Sequence, residues 1–170
     1  MFLSLPQPKY TDAFKRLVAE YRLAGETERV TKYAAGETDF SAYLEFLASV
    51  AEGRTLPENC APYHTFWMIQ DEDILGVARV RPKLDLEGER YHGHIGYDVL
   101  PSQRNKGYGT ALLRMTLLEA RHLGLNRVVL TCQETNLPSR RVLLKCGAQL
   151  IEVIPDLETS FPLCRFEIEL

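Results

Sequence analysis

No two cysteines in this 170-residue chain stand close enough in sequence to suggest a metal knuckle or a redox pair. Cys60, Cys132, Cys146 and Cys164 are scattered, with no C-x-x-C spacing. That excludes the usual signatures of a zinc site or a disulfide framework and leaves four thiols expected to be buried or half-buried in a reducing compartment. No metal is expected. No apolar run approaches the ~20 residues that cross a bilayer. The opening MFLSLPQPKY lacks the basic region and apolar run of a secretory signal, so the expected location is cytoplasmic. An excess of one charge is missing too. Lys and Arg number 20 against 23 Asp and Glu, a net charge of -3, which supports neither a nucleic-acid partner nor a membrane surface. No repeat, low-complexity tract or long linker divides the chain, and a single domain over 1–170 is expected.

Apolar residues make up 45% and charged residues 25%, enough for a sizeable core. Phe2 to Leu5 alternates and ends at Pro6, as a first strand would. Phe14, Leu17, Val18 and Tyr21 form the stripe of a helix from about Asp12 to Leu23, with Gly25 as its stop. Glu26 to Gly36 is polar and is assigned to no element. Thr38 is placed to cap a second helix carrying Phe40, Tyr43, Leu44 and Leu47, ending at Gly53. Gly53 to Pro62 reads as a loop. Three strands follow as an antiparallel meander: Tyr63 to Ile69, Ile74 to Val80, and Arg90 to Leu100. Lys106 to Leu123 is a broadly apolar helix, and Val128 to Thr131 a short buried strand. This strand-helix-strand order implies a parallel crossover. Asn136 caps a helix that runs to Lys145 and stops at Gly147. Gln149 to Ile154 and the alternating Cys164 to Leu170 complete the strands, joined by a turn-rich connector from Pro155 to Pro162. The fold class is mixed α/β, with a mostly antiparallel sheet and a central parallel crossover.

The chemistry concentrates at Arg104 to Ala111, RNKGYGTA, where a strand turns into a helix. Gly107 and Gly109 permit a tight turn and close approach. The N–H groups of a helix's first turn lack partners, and the positive dipole end adds to them, so an anion such as a pyrophosphate is accommodated there. The plain alternative is a tight turn with close helix-sheet packing. There is no GK[ST] as in a P-loop, and Leu112 replaces the third glycine of G-x-G-x-x-G, which argues against a dinucleotide-binding module.

Val99, Pro101, Arg104, Gly107, Gly109 and Ala111 fit a valine and a proline ahead of R-x-x-G-x-G-x-A, and Asn136, Ser139, Lys145 and Gly147 fit N-x-x-[AS] followed by K-x-G. Both motifs, in this order, resemble the GNAT superfamily of N-acetyltransferases over nearly the whole chain. The resemblance implies a GNAT-like acyltransferase fold, with residues 1–62 (a strand and two helices) forming the acceptor side and 63–170 the sheet and cofactor core. It implies acetyl-coenzyme A as co-substrate, held in a split between the strands Arg90 to Leu100 and Val128 to Thr131. The pantetheine arm would pair with the backbone around Tyr97, Asp98 and Val99. Val99, Leu100, Arg104, Asn105, Lys106, Gly107, Tyr108, Gly109 and Thr110 would hold the cofactor, joined by Asn136, Ser139 and Arg140, with Arg141 near the adenosine phosphates. Asn136 reads equally well as a plain helix cap.

An alkyl amine has a pKa near ~10.4 and must lose a proton before it attacks a thioester. The family often protonates the departing thiolate with a tyrosine seven residues after the asparagine, and here that position is Leu143. For the base, period two puts His92, His94, Gly96 and Asp98 on one face of the third strand and Tyr97 on the other. His94, Asp98, Tyr97 and Glu134 are the catalytic candidates, each against a structural alternative. Cys132 reads as a buried strand-end thiol. Glu26, Glu28, Glu37, Asp39, Glu52 and Glu58 lie on the acceptor side, where they would favour a cation or simply form a solvated face. The expected reaction is acetyl transfer to a primary amine of a small molecule or peptide by direct attack in a ternary complex. A catalytically silent cofactor sensor is the alternative, and a shared sheet or helix face would make a homodimer.

Overall fold

In helix α1 (Thr11–Leu23) the side chains of Phe14, Leu17, Val18 and Tyr21 are all but inaccessible to solvent. Their spacing of three, one and three residues puts them on one face. This is a computed structural model, and it describes residues 1–56, 61–156 and 161–170. The polar stretch after α1 is a helix as well, α2 (Thr27–Thr38), so the N-terminal region holds three helices rather than two. Only Tyr33 and Gly36 of α2 are fully buried, too few to show a period in the sequence. Gly36 sets the close approach: a Cβ there would lie 2.6 Å from the Phe14 ring and 2.8 Å from that of Tyr43. Thr38 ends α2 instead of capping the next helix. Asp39 is the cap of α3 (Phe40–Ala51), accepting from the Ala42 N–H at 3.0 Å.

Strands β1 (Phe2–Ser4), β2 (His64–Gln70), β3 (Asp73–Val80) and β4 (Ile95–Val99) form one antiparallel sheet in that order. Strands β5 (Arg127–Gln133), β6 (Gln149–Ile154) and β7 (Leu163–Glu169) form a second, in the order β5-β7-β6. The third meander strand is shorter than Arg90 to Leu100. Residues Gly88–His92 wind into a π-helical turn, and Gly93 follows with φ +71°. His92 is therefore off the strand, and the expected row of His92, His94 and Asp98 on one face does not form.

Helix α4 (Tyr108–His122) connects β4 to β5, so the expected crossover joins the two sheets. The strands it joins meet at one end only. The His94 N–H donates to the Val129 carbonyl at 2.7 Å, and Gly93 bridges Leu130. Beyond that junction no ladder joins β4 to β5 among the described residues, and the split opens.

One core lies between α1–α3 and the first sheet, around Phe14, Trp67 and Ile74. Another fills the space between α4, α5 (Leu137–Lys145) and the second sheet, around Leu113, Leu130 and Phe166. In β7 the expected alternation holds, with Cys164, Phe166 and Ile168 buried. Cys132 and Cys164 are buried and free and Cys146 is half-buried, while Cys60 and Glu58 lie outside the described residues.

Candidate functional site

The open edge of β4 is the first part of the site. Arg81 donates to the His94 carbonyl at 2.7 Å and Leu100 to the Leu75 carbonyl at 3.0 Å. Those bonds fix the alternation of the antiparallel ladder. Gly96 and Asp98 accordingly direct their backbone groups at β3, and Tyr97 and Val99 direct theirs into the split. An extended chain laid in the split would find the Tyr97 groups and the Val99 N–H there, the Val99 carbonyl being taken by Arg104. Of the three residues the sequence offered for such pairing, Asp98 is excluded by register.

The loop after β4 makes the second part. Asn105 and Gly107 have φ +60° and +86°, and Gly107 is the N-cap of α4. Gly107 has no side chain to cap the helix, so no capping group occupies the space ahead of the first-turn N–H groups of Tyr108, Gly109 and Thr110. The helix starts two residues later than the sequence suggests because Asn105 and Gly107 are left-handed. Gly109 serves packing: a Cβ there would lie 3.2 Å from Val142 Cγ2.

Arg104 does not point at this cradle. Its guanidinium grips Glu26 through two hydrogen bonds of 2.7 and 3.0 Å, and its Nε donates to the Val99 carbonyl at 3.1 Å. Glu20 accepts from the Ser102 N–H at 2.7 Å. Two carboxylates at the α1–α2 corner thus hold the loop in place. Lys106 lies 3.3 Å from the Gln103 side-chain oxygen. Asn136 Oδ1 accepts from the Ser139 N–H at 3.1 Å and is a helix cap. Arg140 donates to the Glu134 carbonyl at 3.2 Å.

The four catalytic candidates separate clearly. His94 is buried, and its Nδ1 accepts the Val129 N–H at 3.0 Å. Burial lowers its pKa below the ordinary value. It is a neutral staple between the sheets and is committed as an acceptor. Its pH consequence follows from the sign. The unfolded histidine binds a proton near pH ~6.5 and the folded one resists it, so the contribution is complete above ~6.5 and is lost as pH falls. His94→Asn is expected to flatten part of the fall in thermal midpoint between pH 7.5 and 5.5. An unchanged slope would show that His94 takes no part in it.

Asp98 is 9% exposed and shared by two guanidiniums, Arg29 at 2.6 Å and Arg79 at 3.4 Å. Both of its oxygens are engaged as counter-ions to these arginines. Tyr97 points to the opposite face, where its hydroxyl meets Ser139 Oγ at 3.2 Å. Burial pushes its pKa up to about 12. Ser139 is thus brought to Tyr97 as well as to the cap. Glu134 is exposed, and its carboxylate has no ion pair or hydrogen bond among the described residues. Cys132 is buried, its thiol pushed up to about 11, so it is not an activated nucleophile.

Sequence reasoning missed the cationic group on the acceptor side. Arg79 lies next to the last residue of β3, 6% exposed, and donates to the Tyr33 hydroxyl at 3.1 Å. Arg29 and Lys32 come from α2, the helix the pattern did not reveal. Arg79 carried a signal: an arginine inside the apolar run ILGVARV has nowhere to go but the interior. Most of the acidic residues singled out on this side are engaged. Glu26 holds Arg104 and Arg29, Glu37 holds Arg22, Asp39 caps α3, and Glu52 pairs with Arg54.

Among the described residues no group of three or more His, Cys, Asp or Glu is placed to hold a metal, and no helix is long and apolar enough to cross a membrane. A family model described as the acetyltransferase (GNAT) family matches residues 28–148. Among solved structures, RimL, a ribosomal L7/L12 alpha-N-protein acetyltransferase in complex with coenzyme A, is 14% identical with a TM-score of 0.72, covering 99% of this chain and 93% of that one. RimJ of Mycobacterium smegmatis, in complex with a CoA-disulfide, is 19% identical with a TM-score of 0.71, covering 98% and 80%. The microcin C7 self-immunity acetyltransferase MccE, in complex with acetyl-CoA and AMP, is 17% identical with a TM-score of 0.68, covering 99% and 91%. A search of curated protein sequences finds no match.

Proposed function

Because the chain belongs to the GNAT acetyltransferase family, we propose that it transfers an acetyl group from acetyl-coenzyme A to a primary amine by direct attack in a ternary complex. The observation that carries this reading is the junction of two features: the open edge of β4 at Tyr97 and Val99, and the uncapped first turn of α4 behind Gly107. The first suits the amide-bearing pantetheine arm and the second a pyrophosphate. Val99, Leu100 and residues 105–110 supply this cradle. Arg104 shapes it from behind through Glu26, and Asn136, Ser139 and Arg140, at the cap and first turns of α5, would line its far side.

With His94 and Asp98 committed elsewhere, Glu134 is the carboxylate left to take the ammonium proton, directly or through water. The amine then attacks the thioester carbon, the carbon–sulfur bond breaks as the thiolate departs, and the nitrogen gives up its second proton to that thiolate or to water, which leaves the neutral amide. The Tyr97 hydroxyl stays protonated at neutral pH and supplies a hydrogen bond to the thiolate in place of the missing helix tyrosine. Leu143 at that helix position is buried in the core and can supply none. A single hydrogen bond to a charged group contributes about 1.5–3 kcal/mol, so Tyr97→Phe is expected to lower kcat by tenfold or more.

Thermal midpoints with acetyl-coenzyme A, coenzyme A, NAD and ATP test the cofactor, and thiol release with an amine panel tests turnover. Ligand at a hundred times its Kd stabilises by about 2.7 kcal/mol, a rise of several degrees. A shift with NAD or ATP alone would overturn the reading. A shift with both coenzyme A forms but no thiol release would favour a silent sensor.

A further inference from the structure

Where α2 meets β3, β4 and the loop after β4, the basic side chains outnumber the carboxylates that pair with them. Arg29, Lys32, Arg79 and Arg104 face Glu26 and Asp98, which leaves the six groups with a net charge of +2. Glu26 is spent on Arg104 and Arg29, and Asp98 on Arg29 and Arg79. Lys32 lies one turn after Arg29, on the same side of α2. Among the described residues no carboxylate pairs with it. Solvent reaches it, yet protein encloses its flanks, and that enclosure, with Arg79, Arg29 and Arg81 close by, lowers its pKa to about 8 despite the opposing pull of Asp98. Across the β2–β3 ladder from Arg79, the buried Thr65 hydroxyl has no hydrogen-bond partner among the described residues.

Arg79 is buried where charges interact strongly and shares its carboxylate, at 3.4 Å, with Arg29, while the exposed Lys32 beside the cluster has none among the described residues. An anion would complete it. We infer that the acceptor amine also bears an oxyanion group, a carboxylate or phosphonate, which Lys32 holds at the mouth of the Arg29–Arg79–Asp98 cluster. This rests on the acetyltransferase reading and names the substrate class for it. It reverses the expectation drawn from the acidic residues of the N-terminal region. Those residues are mostly consumed in pairs, whereas the surplus that faces β3 and β4 is cationic.

The test is calorimetric titration of the coenzyme-A-loaded protein, in which no acetyl transfer occurs. The probes are the common amino acids with their carboxamides, and 2-aminoethylphosphonate with ethylamine. At least one anionic member is expected to bind tenfold or more tightly than its neutral partner; the amino acids and the phosphonate distinguish the two anions. Lys32→Gln should bring the affinity of the preferred anion down about tenfold and leave the neutral partner and acetyl-coenzyme A unaffected. At pH 8, binding should take up protons, seen as heats that differ between buffers of different ionisation enthalpy, because an anion restores the charge of Lys32. Neutral partners that bind as tightly as the anions, no anion binding at all, or a Lys32→Gln variant with unchanged affinity would each overturn the inference. Turnover of neutral amines without any such preference would sink it and leave acetyl transfer standing. Absence of acetyl-coenzyme A binding would sink acetyl transfer itself.

Discussion

Replacing Asp98 with alanine is expected to destabilise the fold by about 3–5 kcal/mol, lowering the thermal midpoint by roughly 10 °C for a chain of this size. The reason lies in what the substitution leaves behind. Arg79 is almost wholly buried, and among the described residues its one carboxylate partner is Asp98. Its other hydrogen bond goes to the Tyr33 hydroxyl, whose pKa is itself raised by burial, so that the phenol stays neutral. Without Asp98 a guanidinium remains in the interior with no counter-charge, and Arg29 loses its 2.6 Å contact as well. Arg29 is about a third exposed and recovers water, so Arg29→Ala should cost far less, about 1 kcal/mol or under. Urea denaturation of both variants measures the difference. A loss below 1 kcal/mol for Asp98→Ala would mean that Arg79 needs no counter-ion, and the account of the cluster would be wrong. The size of this effect also bears on activity assays: a dead Asp98 variant says nothing of a base unless its folding is measured beside it.

The second large effect is expected at Gly93. A Cβ at that residue would lie 2.7 Å from the Val129 carbonyl oxygen and 3.1 Å from Leu130 Cα. Those are backbone atoms of β5, which have no rotamer to yield. The φ of +71° adds the strain of a left-handed residue. Gly93→Ala should therefore cost about 3 kcal/mol or more, and it should do so by prising β4 from β5. The consequence extends to the cofactor, because that junction sets where the split begins. Acetyl-coenzyme A affinity is expected to fall at least tenfold even at a temperature where the variant is folded. Gly107→Ala is the comparison. It has nothing within 4 Å to strike, so it carries the backbone strain of φ +86° without the clash. Hydrogen exchange at the His94 and Val129 amides locates the damage. Protection at both positions in Gly93→Ala equal to that of the parent would show that the junction tolerates the methyl group.

Much of the fold was legible from local signals. The stripe of α1, the antiparallel meander, the alternation of β7 and the cap at Asn136 each rest on residues that lie near one another in sequence. Helix α2 was not legible. It buries Tyr33 and Gly36 but little else, and it is held by contacts to Phe14, Tyr21 and Arg79 that the chain brings from elsewhere. The third meander strand is shorter than its pattern because Arg90 to His92, consistent with a strand in isolation, belong to a different element. Their π-helical turn is imposed by Gly93 and the backbone of β5.

The sequence by itself determined that a glycine-marked strand-to-helix turn would present helix N–H groups, since cap and turn chemistry act over a few residues. It also determined the family motifs around that turn. Only the tertiary structure decided the partners of the charged groups. Arg104 turned from the cradle to Glu26, 78 residues away in sequence, and Asp98 turned from base to counter-ion of Arg29 and Arg79. Tyr97 met Ser139 across 42 residues. The physical reason is range. Backbone conformation is selected by neighbours along the chain, whereas the pairing and pKa of a side chain depend on distance and burial in space, which no spacing in the sequence records.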